Sequence, residues 1–350
     1  MSVSRRIIPL ALLCGAGTLN AATPNRIEQI IVSGLRTEQP VLDSPAAVSV
    51  ITREDIERSG AITIAEVLRG RAGLQIRDTI GDGGRGVVVS MRGFGENAPN
   101  NTLVLVDGRR LNNPTLAGPD LNSIALKDIE RIEILQGGAG VMFGDQAVGG
   151  VINVITRTPD EAAVALEAGG GSHDGERYAL SASQRFGSGV GVRLSAEQRE
   201  SDNYRDNNAS EYSNALGVVD YNWADGRVFA ELQQIDDNLE LPGALPEALA
   251  RGDRRQSLNP QDFADIQTTT WRLGGRYALT PVWSAEMELT ERENDGDGYL
   301  SAPNTTEMRV PTANPRLVGR SERPAGTAMP ALGFAAPAYV YLPHTPALAA

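Results

Sequence analysis

Residues 177–199 read RYALSASQRFGSGVGVRLSAEQR, two alternating runs joined by Gly187-Ser188-Gly189. In the first run Tyr178, Leu180, Ala182 and Phe186 share one face, and Arg177, Ser181, Ser183 and Arg185 the other. In the second, Val190, Val192, Leu194 and Ala196 oppose Arg193, Ser195, Glu197 and Arg199. Successive side chains of a strand point to opposite faces, so each run predicts a strand with one oily and one charged side. The period returns downstream. Trp271, Leu273, Tyr277 and Leu279 alternate with Arg272 and Arg276, and Trp283, Ala285, Met287 and Leu289 with Ser284, Glu286, Glu288 and Thr290. Segments 164–168, 215–223 and 228–234 follow the pattern less cleanly, which makes about seven readable strands.

A soluble sandwich alternates in the same way, and two features argue against one. The connections at 187–189, 224–225 and 280–281 are tight, whereas 200–212, 236–267 and everything after Arg292 read as long. Tight turns on one side and long loops on the other belong to outer-membrane barrels. Phe186, Trp223 and Trp283 all lie beside the tight turns, where an interfacial aromatic girdle sits.

Export is written at the N-terminus. Arg5-Arg6 precede an apolar run over 7–16, and small residues lead to Asn20-Ala21-Ala22, so 1–22 reads as a secretory signal. The run is about half of the roughly 20 residues a spanning helix needs. The single cysteine, Cys14, lies within it, which predicts a mature chain without disulfides. His173 and His344 are far apart in sequence and predict no metal centre. A net charge of −12 with a pI near 4.8 argues against a nucleic-acid partner, because phosphate binding needs a basic face. Glu293-Asn-Asp-Gly-Asp-Gly298 has the early spacing of a calcium loop, but Asn304 stands where the bidentate Glu belongs, so it reads as an acidic outer loop. No catalytic set is recognisable, and neither an enzyme activity nor a cofactor is expected.

Residues 27–159 carry a mixed α and β pattern. Thr52-Arg-Glu-Asp55 is a box-like helix start and Thr63-Ile-Ala-Glu66 a fuller one. Strands are expected over 74–77, 87–92, 102–106 and 129–135, with a hairpin at Asp107-Gly108. Asp107 reads as a turn former. The loops at 78–86, 93–101 and 112–122 are long for a compact unit, which favours a functional role. The first contains GDGGRG (81–86), spaced as G-x-G-x-x-G. A dinucleotide site needs a helix after these glycines, and Val87-Val88-Val89 predicts a strand instead.

Three motifs carry a family resemblance: VDGRRLN (106–112), RIEILQG (131–137) and VMFGDQAVGGVINVIT (141–156). They resemble the plug of TonB-dependent outer-membrane receptors, departing only in Gly138 where that family has Pro and in Phe143 where it has Tyr. The resemblance runs from 27 to about 300. It implies an α+β plug domain followed by the first part of an antiparallel transmembrane β-barrel, which in a full-length member has about 22 strands. It divides the chain into a signal (1–22), a periplasmic arm (23–37), the plug (38–158), the first barrel strands (159–300) and an Ala/Pro-rich tail (301–350) that suggests a truncated or frame-shifted chain. Glu28, Gln29, Ile30, Ile31, Val32 and Ser33 look like the TonB box, a segment that can add an edge strand to a partner sheet. Arg85, Asn97, Asn100, Asn112, Asn113 and Thr115, on the plug's upper loops, are the candidate ligand contacts. The implied function is TonB-coupled uptake of a ferric siderophore by a receptor in lipid of the Gram-negative outer membrane. Cobalamin, haem or a non-functional receptor fragment are the alternatives.

Overall fold

In the computed structural model, residues 47–319 are described except for 72, 79–85, 114–117 and 161. Short strand pieces at 31–32 and 39–40 and between 321 and 344 are described as well. The signal and the Arg85 and Thr115 positions lie outside the described residues, as do Glu28, Gln29, Ile30 and Ser33 of the box.

Two short strands come first, β1 (Ile31–Val32) and β2 (Gln39–Pro40), paired antiparallel with Ile31 opposite Pro40. The plug follows with β3 (Ala47–Thr52), β4 (Leu74–Asp78), β5 (Val87–Met91), β6 (Thr102–Val106), β7 (Arg109–Arg110), β8 (Ile129–Gln136) and β9 (Gly150–Thr156). Five of them form a sheet in the order β3-β8-β9-β6-β7, with β6 and β9 parallel; β4 and β5 pair separately. Helix α1 (Arg53–Ser59) packs on β3 and β8 of this sheet, and α2 (Ile64–Arg69) lies against β4. Ile64, Ala65, Val67 and Leu68 of α2 are buried with Ile51, Met91, Ile132 and Ile152 in an apolar core belonging to the plug itself.

Helix starts fall where the sequence places them, with one exchange. At Thr52 the box is reciprocal: the Asp55 amide donates to Thr52 Oγ1 at 3.2 Å and the Thr52 amide to Asp55 Oδ2 at 3.0 Å. At Thr63 only half of it forms. The Glu66 amide donates to Thr63 Oγ1, but the Glu66 carboxylate accepts from the Ile62 amide at 2.8 Å, one residue before the cap. The hairpin turns at Asp107 (φ 50°) and Gly108 (φ 80°), the pair of positive angles a two-residue turn between twisted strands requires.

From 163 the chain builds a wall of sequential antiparallel neighbours: β10 (Ala163–Gly170), β11 (Glu176–Arg185), β12 (Val190–Ser201), β13 (Ser210–Trp223), β14 (Gly226–Glu240), β15 (Phe263–Ala278), β16 (Trp283–Tyr299) and β17 (Pro303–Ala313). β18 (Arg316–Gly319) continues along the lower end of β16. Register aligns apolar side chains across strands, as in the row Val192, Val219, Ala230, Leu273 and Leu289.

Which face is covered decides the class. Leu166, Leu194, Leu232 and Leu273 are 78%, 57%, 59% and 52% exposed, while the intervening Arg193, Ser195, Glu197 and Arg272 are buried against the plug. A soluble sandwich buries the oily face; here it is bare over several strands, the arrangement a lipid surround stabilises. Phe186, Tyr221, Trp223 and Tyr277 are exposed near the tight-turn end, and Tyr221 stacks on Trp223 at 5.6 Å.

Three expectations about the far end change. The connection after β16 is the short 300–302, not a long loop. Glu293–Gly298 is not a loop but part of β16, paired on one side with β15 and on the other with β17. A hydrocarbon core takes about 9–11 residues of a tilted strand, so a 17-residue strand carries this acidic stretch beyond it, with its backbone satisfied by neighbours on both sides. Regular pairing also continues past 300, since β17 runs to Ala313.

Candidate functional site

The charged face of the wall meets the plug, and this contact is the candidate site. Asp107 leaves β6 at the hairpin, where Thr156 of β9 donates to its carboxylate from both N and Oγ1 at 2.8 Å. Arg272 of β15 reaches it from the wall, Nη1 to Oδ2 at 2.9 Å. The same guanidinium holds Glu231 at 3.0 Å and Glu288 at 3.1 Å, so one buried cation joins a plug acid to two wall acids. Burial alone would raise the Asp107 carboxyl; Arg272 and the Thr156 donors outweigh it and hold the group below the ordinary carboxylate range. Asp107 thus makes the turn and also anchors the plug, a second role that depends on a residue far along the chain.

A second contact lies closer to the tight turns. Asp128 ends a short 3₁₀ turn, Leu126–Asp128, and receives Arg193 and Ser195 of β12, the latter at 3.0 Å. Arg193 also donates to the Arg157 carbonyl at 3.0 Å. Burial dominates here and pushes the Asp128 carboxyl up, with Arg193 and Lys127 only partly offsetting it. Burial likewise pushes Lys127 down. Its Nζ stands 3.8 Å from Glu197 of β12, and neither Nζ nor Glu197 Oε2 has a hydrogen-bond partner among the described residues.

Nearer the long loops the contacts become hydrogen bonds to plug loops. Tyr212 Oη donates to the Asn122 carbonyl at 2.9 Å, and Asn122 Nδ2 to Asp237 at 3.1 Å. Arg292 donates to the Leu111 carbonyl at 3.1 Å and to Asn113 Oδ1 at 2.9 Å. The outer loops are tied to each other: Asn207 Nδ2 donates to the carbonyls of Asn259 and Asp262, and Arg205 to those of Gly243 and Gln256.

The sequence-predicted ligand residues fall into three groups. Asn97 and Asn100 share the 3₁₀ turn Gly95–Asn100, where Asn97 is exposed and Asn100 half-buried. Asn113 is half-buried and bridges Arg292 to the Gly118 carbonyl. Asn112 is committed to the fold: it is 4% exposed, accepts from the Val104 amide and donates both amide protons, to the carbonyls of Pro99 and Thr102. A loop Asn predicts a ligand contact, whereas this one closes the loop by replacing backbone partners. At the arm, Ile31–Val32 is paired with Gln39–Pro40 rather than free.

Between plug and wall, at the tight-turn end, lies a cavity of about 1590 Å³ bordered by Asp107, Arg109, Arg272, Thr280 and Trp283. Its lining runs from Asn112 of the plug to Thr280 and Pro281 of a tight turn.

A globular stopper with its own core, clamped by charges to an open wall of antiparallel strands that is oily outside, defines the plug and part of the wall of an outer-membrane β-barrel. Residues 40–151 match the family model described as "TonB-dependent Receptor Plug Domain". The vitamin B12 transporter BtuB of Vibrio cholerae is 32% identical over 323 residues, which are 86% of this chain and 49% of that protein. The same transporter of Photobacterium profundum is 37% identical over 166 residues, 47% of this chain and 27% of that one. Two solved structures share the fold: the ferric citrate transporter FecA (TM-score 0.73, 21% identity, 86% of this chain and 49% of that one) and the ferripyoverdine receptor of the outer membrane of Pseudomonas aeruginosa (TM-score 0.71, 16% identity, 89% and 44%). The chain belongs to the TonB-dependent receptors of the Gram-negative outer membrane and spans about half the length of the Vibrio relative it matches.

Proposed function

We propose that this receptor takes up a bulky nutrient under TonB coupling, with the plug released from the wall by rearrangement of its charged contacts. The observation that carries the reading is the Asp107–Arg272–Glu231–Glu288 cluster. Such an interface is stable when closed and remains solvable by water when opened, so a pull can separate plug from wall without baring an oily core. The pull would enter at the segment 28–33. Because Ile31–Val32 is already paired with Gln39–Pro40, a partner strand would either add to the other edge of β1 or displace β2.

Among nutrients, cobalamin is favoured by the two transporters at 37% and 32% identity. The ferric siderophore expected from the sequence is supported by fold likeness alone. Binding would involve Arg85, Asn97, Asn100, Asn113 and Thr115 on the plug loops together with the tied outer loops.

Uptake of labelled cobalamin by cells expressing the receptor, with ferric siderophore, ferric citrate and haem as competitors, tests the ligand. Cobalamin uptake that requires TonB and resists the iron compounds supports the reading. Competition by a ferric siderophore reassigns the nutrient, and uptake indifferent to TonB removes the coupling.

A further inference from the structure

Arg109 differs from the other arginines that border the 1590 Å³ cavity. Each of the others has a carboxylate within salt-bridge distance. The Arg109 side chain makes no ion pair and no hydrogen bond among the described residues, and its Nε is buried without an acceptor. The acids nearest to hand are already engaged: Glu231 and Glu288 by Arg272, Glu286 by Arg276 and Arg316.

A second guanidinium faces the same hairpin from the wall. Arg316 of β18 stands against the turn, its Nη1 3.8 Å from where a Cβ on Gly108 would lie, while its Nε faces Glu286 at 3.3 Å. Plug and wall therefore each bring a guanidinium to the lining of this cavity, Arg109 unpaired among the described residues and Arg316 held by Glu286 through Nε. Burial, together with repulsion from Arg272 and Arg292, pushes the Arg109 guanidinium down to about 10, so an added negative charge would relieve it. On its other side Arg109 borders a void of about 30 Å³, room for a water and not for an oxyanion. The large cavity is the side that can admit one.

We propose that Arg109 and Arg316 form an oxyanion subsite in this cavity, taking a carboxylate or phosphate group by charge-assisted hydrogen bonds across the plug–wall seam. The site lies beside the plug's Asp107–Gly108 hairpin, at the seam with the wall. An acidic group on an organic ligand would meet it after the plug has shifted. A free inorganic anion could occupy it at rest and screen the two arginines from each other.

The test measures binding of inorganic phosphate and of citrate, separately, to the purified chain in detergent by calorimetry at low ionic strength, with chloride as the blank. Saturable binding is expected, weakened tenfold or more by Arg109→Gln and by Arg316→Gln and less by Arg109→Lys. Arg276→Gln, at a cation of the same lining, should leave it within twofold. Phosphate binding points to a free anion as occupant, and citrate binding without phosphate to an acidic organic group. No saturation with either probe overturns the proposal. So does undiminished binding in Arg316→Gln or in a folded Arg109→Gln variant. Because the assay contains neither nutrient uptake nor TonB, its failure leaves the transport reading standing, and the reverse also holds.

Discussion

Arg272 is the residue through which the plug depends most on the wall. Removing it leaves Asp107, Glu231 and Glu288 together without their shared cation, and breaking a buried pair by deleting one partner costs about 3–5 kcal/mol. Arg272→Ala should therefore lower the midpoint of plug unfolding and expose 47–156 to protease, while Arg272→Lys should recover only part, since one ammonium cannot serve three carboxylates as a fork does. Asp107 and Asp128 give opposite signs with pH. The Asp107 carboxyl is held below its unfolded value, so its contribution is present above about pH 4 and is lost as pH falls through the folded value. Asp128 is raised by burial, so its charged form weakens the fold at neutral pH relative to acid. The protection factor of the Thr156 amide, corrected for intrinsic exchange, should fall on acidification below about pH 4 in the wild type, and Asp107→Asn should flatten that dependence. Asp107 was legible as a turn residue because Asp-Gly punctuates hairpins. Its tie to Arg272 was not, because 165 residues separate the two in the chain.

At the scale of the element, helix starts and strand faces obey local chemistry. Thr52→Ala removes the acceptor for the Asp55 amide and should cost about 1 kcal/mol of plug stability, read by denaturant unfolding. Strand faces make a stronger prediction. Leu194 and Leu232 point away from the plug, and a charge there would sit in hydrocarbon. Leu194→Lys or Leu232→Arg should cost about 2–4 kcal/mol near mid-bilayer, measured as lost folding into liposomes. The same change at exposed Tyr204, outside the strands, should be silent. Alternation made these faces readable because the period of a strand is fixed by its geometry. The lengths of β14 to β16 were not readable, since their far ends lose the oily-outside alternation: Ile235 and Leu239 of β14 face inward beside Asp237, and the end of β16 is acidic, so neighbouring strands keep them extended rather than a pattern of their own.

At the scale of the molecule, the plug and the wall are two structures that satisfy each other. The plug has an apolar core; the wall has none, and its charged face is covered by the plug. A receptor that works by moving the plug must break contacts such as Asn122 to Asp237, which joins a plug loop to β14 at 3.1 Å. Cysteines at these two positions, bridged by a short crosslinker, should abolish nutrient uptake while leaving surface binding intact, and a cleavable crosslinker should restore uptake on cleavage. Uptake unchanged by the bridge would mean that the plug passes its nutrient without separating from β14.

Sequence by itself determined the class of the chain: the two-residue period after 158, the alternation of turn lengths and the plug motifs depend on neighbours close in the chain, where steric and solvation preferences act directly. It also determined the helix caps and the Asp107-Gly108 turn, which close within three or four residues. Only the tertiary structure decided which polar residues are anchors and which are open to a ligand. Asn112 and Asn97 look alike in sequence, yet one is saturated by Val104, Pro99 and Thr102 and the other is exposed. Likewise nothing local distinguishes Arg109 from Arg272. Their difference arises because folding brings three carboxylates to one and none to the other.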